Sequence, residues 1–324
     1  MKKILIINRL GIGDVILTTP LAQAIKEQFS AHIGFVVSPK AVDILKNHQY
    51  IDEVFGYRLP SKQAMLKQIQ NSGYDEALIV DERLSSTILA LKAGCRLLNK
   101  GFAISIGKRR FFPGKGHDEV AVDHYSKYIK YLKPQGEFRP LAPTIGKSDP
   151  VSEQKIEQWL QHNNFSKNKL VLIVPRGLSD NKNWLPEYFS ELNEYLNKQG
   201  ITPVYLGSSS DSEYIDTISG EKINSAGYFS LREVAVVAKY ASLSLTMCTG
   251  AMHVIATAKT PILAVYGPTS AKRWAPAHAC VLQAELSCAP CQRLDCTNAT
   301  YKKCMRQVTP RQVIDRIETK GWLT

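Results

Sequence analysis

Three times in this chain a short apolar run empties into a turn made of small residues. Lys3 to Ile7 leads into Gly11-Ile-Gly-Asp14. Leu243 and Leu245 end a run that opens into Thr246-Met-Cys-Thr-Gly-Ala-Met-His253. Ile262 to Val265 leads into Gly267-Pro268-Thr269. Uninterrupted apolar runs suit strands buried on both faces. Strands that feed helices through tight turns stack into a parallel sheet with helices on both sides. The turn at Thr249-Gly250-Ala251 is also a ready anion site. The first-turn N–H groups of a helix have no intrahelical partner, and the helix dipole favours negative charge there. Glycine lets a phosphate come close to the backbone. An ordinary crossover with a glycine kept for packing has the same local pattern, so other motifs must decide between the two.

The remaining segments continue the alternation. Residues 33–37, 54–55 and 77–80 read as strands, with helical segments near 40–47, 61–71 and 84–93. Leu17, Leu21, Ile25 and Phe29 recur four apart, so a helix follows the first turn, either kinked at Pro20 or restarted there with Thr19 as cap. The stretch 100–116 is basic and glycine-rich and reads as a loop, and 120–132 reads as a helix. Pro134, Gly136, Pro140, Pro143 and Gly146 punctuate a linker. The second half repeats the logic. Strands are expected at 170–174 and 202–206, and helices at 186–196 and 231–239. Ser230 and Glu233 form a capping box for the latter, and Thr309-Pro310 opens a last helix through Ile317. These readings give two α/β domains, 1–148 and 149–324.

With 324 residues there is room for two ordinary domains. No run of 18 apolar residues is present, and the short apolar start is broken by Arg9 and Asp14, too early for a secretory signal. The expectation is a cytoplasmic protein. A net charge of +12 suits nucleic acid, an anionic membrane surface or an anionic substrate. No nucleic-acid-reading motif accompanies it, so nucleic acid is the weakest of the three and is not expected as a partner. Four of seven cysteines crowd into Cys288, Cys291, Cys296 and Cys304. In a cytoplasmic setting that spacing points to metal or free thiols rather than disulfides.

Gly11 and Gly13 suggest a dinucleotide turn, but Ile16 stands where a third glycine belongs, and Ser38-Pro39 follow the second strand in place of an acid. A nicotinamide enzyme is therefore poorly supported. The turn does place Asp14 at a strand-to-helix loop, as a candidate base or a helix-start aspartate. Pro175-Arg-Gly177 through Lys182-Asn-Trp184 is a second loop after a strand, where Lys182 can neutralise a phosphate or simply sit on the surface.

Taken in order, Gly11-Ile-Gly-Asp14 with Thr18 and Pro20, Pro175 to Trp184, Asn224 with Gly227 and Ser230-Leu-Arg-Glu233, and Thr249-Gly250 with Met252-His253 through Tyr266-Gly-Pro-Thr269 resemble the glycosyltransferase family 9 heptosyltransferases. The likeness spans nearly the whole chain. It implies a GT-B fold, two Rossmann-like domains with parallel sheets facing across a cleft, the first for the acceptor and the second for the nucleotide sugar. In such folds the C-terminal helix commonly returns to the first domain, which would apply to 310–324. It also implies an inverting, metal-independent transfer from ADP-heptose to a lipid A–sugar acceptor in lipopolysaccharide or lipooligosaccharide core assembly. The enzyme would then be cytoplasmic and peripheral on the inner face of the membrane.

Carried onto these positions, the resemblance makes Asp14 the general base and Lys182 the diphosphate lysine. Thr249, Gly250 and Ala251 become the backbone cradle, with His253 and Cys248 beside it. Gly13, Thr18, Lys108, Arg109 and Arg110 are acceptor-side candidates. No cofactor is implied for the chemistry. Cys288, Cys291, Cys296 and Cys304 are candidate ligands of a structural zinc or iron, as similar clusters occur in some members of the family. One residue departs from the pattern: Cys248 stands where the family usually carries Asp, near the donor sugar. A thiol cannot accept hydrogen bonds from sugar hydroxyls as a carboxylate does. The alternatives are therefore a family 9 enzyme using another nucleotide sugar, or a non-catalytic nucleotide- or nucleic-acid-binding protein.

Overall fold

The computed structural model describes residues 1–99, 119–134, 141–165, 169–293 and 295–323. Two compact units divide the chain, Met1–Lys147 and Ser148–Thr324. Among the described residues no helix is long and apolar enough to cross a membrane.

The first unit is built on β1 (Lys3–Asn8), β2 (His32–Val37), β3 (Glu53–Gly56), β4 (Glu76–Ile79) and β5 (Arg96–Leu97), in the order β3-β2-β1-β4-β5. All pairings are parallel, with Leu5 of β1 opposite Gly34 of β2 and Ala77 of β4. Ile4, Leu5, Ile6 and Ile7 are wholly buried, which is what a central strand covered on both faces requires. The helix that follows, Ile12–Phe29, runs unbroken through Pro20. Proline has no N–H for the carbonyl of Ile16, but the Thr19 hydroxyl lies 2.8 Å from that oxygen and donates instead. Thr19 is thus not a cap. The end of the expected linker is pressed against this unit. The Gly146 N–H donates to the Ile44 carbonyl at 2.7 Å, and a Cβ at Gly146 would stand 1.7 Å from the Lys46 carbonyl oxygen. Only glycine fits there.

The second unit carries β6 (Val171–Val174), β7 (Val204–Tyr205), β8 (Ile223–Asn224), β9 (Leu243–Met247), β10 (Ile262–Tyr266) and β11 (Cys280–Gln283), again all parallel, in the order β11-β10-β9-β6-β7-β8. Ser230 and Glu233 form the expected capping box: the Glu233 N–H donates to Ser230 Oγ at 3.3 Å and the Ser230 N–H to Glu233 Oε2 at 2.7 Å. Trp184 is fully buried, donates to the Val308 carbonyl, and packs edge-on against Phe189. The last helix, Pro310–Lys320, starts at a Thr309 cap and stops at Gly321 in the left-handed region. Its apolar side chains Val313 and Ile317 lie in the core of this unit, against the Pro186–Lys198 helix. The apolar stripe of this helix is thus taken up within the second unit.

Each sheet has one place where the strand order reverses, β1/β4 in the first and β6/β9 in the second. Open parallel sheets bind ligands outside the carboxyl ends of the strands at such points. The loops there are 9–14 and 81–83 in the first unit, and 175–183 and 248–251 in the second.

Candidate functional site

In the first unit, Asn8 ends β1 and organises the turn. Its amide donates to Thr18 Oγ1 at 2.8 Å and to the Asp14 carbonyl at 3.3 Å, and its own oxygen accepts the Leu10 N–H at 3.1 Å. The half-buried Asp14 is therefore held at its backbone. At its side chain, Oδ2 accepts the Gly11 N–H at 3.2 Å and Oδ1 accepts the Tyr125 hydroxyl at 2.5 Å. Gly13 is buried in the first helical turn. Thr18 is a correction to its reading as an acceptor contact: it is fully buried, and its hydroxyl donates to the Asp14 carbonyl at 2.7 Å. It supports the turn and presents nothing outward. Lys108, Arg109 and Arg110 lie outside the described residues.

Beside this turn stand residues that sequence reasoning missed. Arg9 is buried and paired with Asp81 at 3.0 Å, and its other nitrogen donates to Ser85 at 2.7 Å. The Arg9 guanidinium also lies 4.0 Å from the Tyr57 ring centroid, with Arg58 at 5.1 Å from the same ring. Burial alone would raise the Tyr57 phenol, but a hydrogen bond to Arg58 and the two positive charges bring it below its ordinary value. The only hint in the sequence was position: each follows a strand. The carboxyl end of this sheet thus carries the Asp14 carboxylate, bonded at both oxygens, and the Arg9 and Arg58 guanidiniums against the Tyr57 ring.

In the second unit, loop 175–183 and turn 248–251 meet. A Cβ on Gly177 would stand 3.2 Å from the Cys248 carbonyl oxygen, so the loop backbone rests against the turn. Asn183 is buried; its oxygen accepts the Gly177 N–H at 2.7 Å, while its amide nitrogen has no hydrogen-bond partner among the described residues. Lys182 sits half-buried at the end of a short 3-10 turn, Asp180–Lys182. Among the described residues no acid lies within ion-pairing distance of it. Its neighbour Asp180 is taken, bonded to Lys302 at 2.7 Å and to the Tyr301 hydroxyl at 2.9 Å. Thr249 is the N-cap of the Gly250–Ala256 helix but makes no capping bond from its side chain. Thr249, Gly250 and Ala251 are partly exposed.

His253 stands in the helix that starts at the cradle. It is buried, and desolvation pushes its imidazole down to about 4, so it is neutral at pH 7 and adds no positive charge. Cys248 adjoins Tyr266, whose phenol is pushed well above its ordinary range by burial and by the neighbouring thiol, to which it is hydrogen-bonded.

Cys288, Cys291, Cys296 and Cys304 line one cavity of about 190 Å³, with Asn181 and Lys302 in its wall. Two of the sulfurs accept hydrogen bonds, Cys288 from Asn298 at 3.5 Å and Cys296 from the Lys302 N–H at 3.4 Å. Among the described residues no three His, Cys, Asp or Glu side chains stand close enough together to share an ion. The four thiols suit a soft metal in kind and in the cavity they share. The same segment is tied to the lysine loop: the Asn181 amide donates to the Arg293 carbonyl at 2.8 Å, in addition to the Asp180 contacts.

Comparison with known proteins places these features in context. Residues 63–302 match the pattern of "Glycosyltransferase family 9 (heptosyltransferase)". The chain is 24% identical over 297 residues to a lipopolysaccharide heptosyltransferase 1 of Campylobacter coli, covering 84% of this chain and 85% of that one. Among solved structures, a glycosyltransferase family 9 protein of Veillonella parvula superposes with a TM-score of 0.80 at 20% identity, over 98% of this chain and 96% of that one. An ADP-heptose LPS heptosyltransferase II of E. coli gives 0.74 at 19% identity, over 100% and 98%.

Proposed function

The chain belongs to glycosyltransferase family 9 and is a glycosyltransferase of the GT-B class, and from that premise we propose that it transfers heptose from ADP-heptose to a lipid A–sugar acceptor, with inversion. The observation that carries the reading is the junction in the second unit. Loop 175–183 and turn 248–251 leave adjacent strands at the point where the strand order reverses, and the lysine and the backbone N–H groups there suit a diphosphate.

The chemistry follows from the groups present. Asp14 takes the proton of the acceptor hydroxyl as its oxygen attacks the anomeric carbon. The bond from that carbon to the phosphate oxygen breaks, and ADP leaves with the electron pair. Charge develops on the departing diphosphate, where Lys182 and the N–H groups of Gly250 and Ala251 receive it. A single displacement inverts the anomeric centre. The cationic surroundings of Arg9 and Arg58 suit an anionic acceptor, and the substrate's lipid places the work at the inner membrane surface.

Donor choice turns on Cys248. A pocket built to bond a hydroxyl rejects analogues lacking it strongly, and a pocket without that group cannot. A screen of nucleotide sugars for protection against thermal unfolding should single out ADP and ADP-sugars over UDP-sugars and NAD. Protection by UDP-sugars alone would replace the donor assignment. Cys248→Asp should raise turnover with ADP-heptose, because a carboxylate there accepts from the sugar. A wild type already efficient with ADP-heptose and damaged by that change would make Cys248 a compatible variant with the ordinary family donor.

The four cysteines would hold zinc or iron as a structural cross-link of segment 288–304, outside the chemistry. Elemental analysis of freshly purified, untagged protein should find one metal per chain, and replacing Cys288 and Cys291 with Ser should remove it. Protein that is fully active and metal-free on isolation would sink the site.

A further inference from the structure

Tyr125 reaches the Asp14 carboxylate from a distant part of the chain, and nothing in the sequence marks it. It lies on the helix Ala121–Ser126, which packs against the Ile12–Phe29 helix. The residue is 4% exposed, and its hydroxyl stands 2.5 Å from Asp14 Oδ1 across 111 positions of sequence. The ring is itself braced, with His124 edge-on at 5.3 Å and His124 in turn 3.0 Å from Glu119.

We propose that Tyr125 is a positioning residue for the base, an inference that rests on Asp14 acting as one. An ionised carboxylate only accepts, so the phenol must be the donor in this contact. Gly11 binds one carboxylate oxygen and Tyr125 the other. Two donors on two oxygens set the orientation of the carboxylate, and with it the direction from which it meets a substrate hydroxyl. Without Tyr125 the carboxylate loses the donor on Oδ1, and with it the hold on that oxygen's direction. Misplacing a reacting group by a small rotation costs rate without costing affinity for a donor bound elsewhere. A buried tyrosine that merely needs a hydrogen-bond partner predicts no such dependence.

The test is a double-mutant cycle on the full-length protein, with ADP release from ADP-heptose and a lipid A–sugar acceptor as readout. Tyr125→Phe removes the hydroxyl and keeps the ring, so the fold should hold, checked by its unfolding temperature. Its kcat should fall roughly ten-fold, the scale of a hydrogen bond to a charged group, while ADP affinity stays put. In the Asp14→Asn background the same change should have no further effect on kcat, because a residue acting through Asp14 has nothing left to position. An unchanged kcat for Tyr125→Phe, or an equal fall in both backgrounds, would overturn the proposal. Those outcomes leave an impaired Asp14→Asn standing, and so leave the base intact. Full turnover in Asp14→Asn would instead remove the base, and Tyr125's role with it.

Discussion

Asp14→Asn should lower turnover about 10²–10⁴-fold, the usual worth of general-base catalysis, while ADP affinity stays at the wild-type level. The substitution changes a proton acceptor into an amide of the same shape. The Gly11 N–H can still be accepted by the amide oxygen, and the Asn8 and Thr18 bonds to the backbone carbonyl of residue 14 are untouched. Loss of rate would therefore report loss of the base rather than collapse of the turn. The bland alternative is an aspartate that only complements the start of the Ile12–Phe29 helix, worth ~0.3–1 kcal/mol of stability. That role predicts a small drop in unfolding temperature and an unchanged kcat. The two readings thus separate on one enzyme preparation, by measuring rate and melting together.

Lys182→Ala should weaken ADP binding about 10–100-fold at low salt, the scale of a hydrogen bond to a charged group. Lys182 has no ion-pair partner among the described residues, whereas Asp180 beside it is occupied by Lys302 and Tyr301. A half-buried ammonium without a counter-ion is suited to an anionic ligand. The difference between wild type and variant should shrink as salt rises, because the contact is charge to charge. Titration calorimetry at two ionic strengths reads both effects. ADP affinity that is equal in the two proteins at low salt would return Lys182 to the ordinary surface.

Long β-branched runs made the fold legible. β1, β2, β6, β9 and β10 are each four to six residues, nearly all buried, and the glycines after β1 and β9 mark where helices start. The two-residue strands were the least legible. β5, β7 and β8 are two-residue strands, too short for any period; β7 was found only because it lies in a longer apolar run, and β5 and β8 were missed. The Pro150–His162 helix was also missed, since it buries only Ile156 and Trp159, although Asp149 caps it and Pro150 takes its first position. At the site, residues next to a motif were overread and residues far from it were invisible. Thr18 is four residues from Asp14, and that same spacing turns its hydroxyl back onto the Asp14 carbonyl. His253 is on the buried side of a helix whose exposed start drew it into the reading. Tyr125 and Asp81 make contacts that only the folded chain creates.

The most direct test of the central claim is the product itself. The full-length protein is given ADP-heptose and a lipid A–sugar acceptor, and the product is followed by mass and by the configuration of its new anomeric centre. One heptose is expected for each ADP released, with the configuration inverted relative to the donor and the rate lowered about 10²–10⁴-fold in Asp14→Asn. Protein that binds ADP yet adds no heptose, or a product whose configuration is retained, would contradict it.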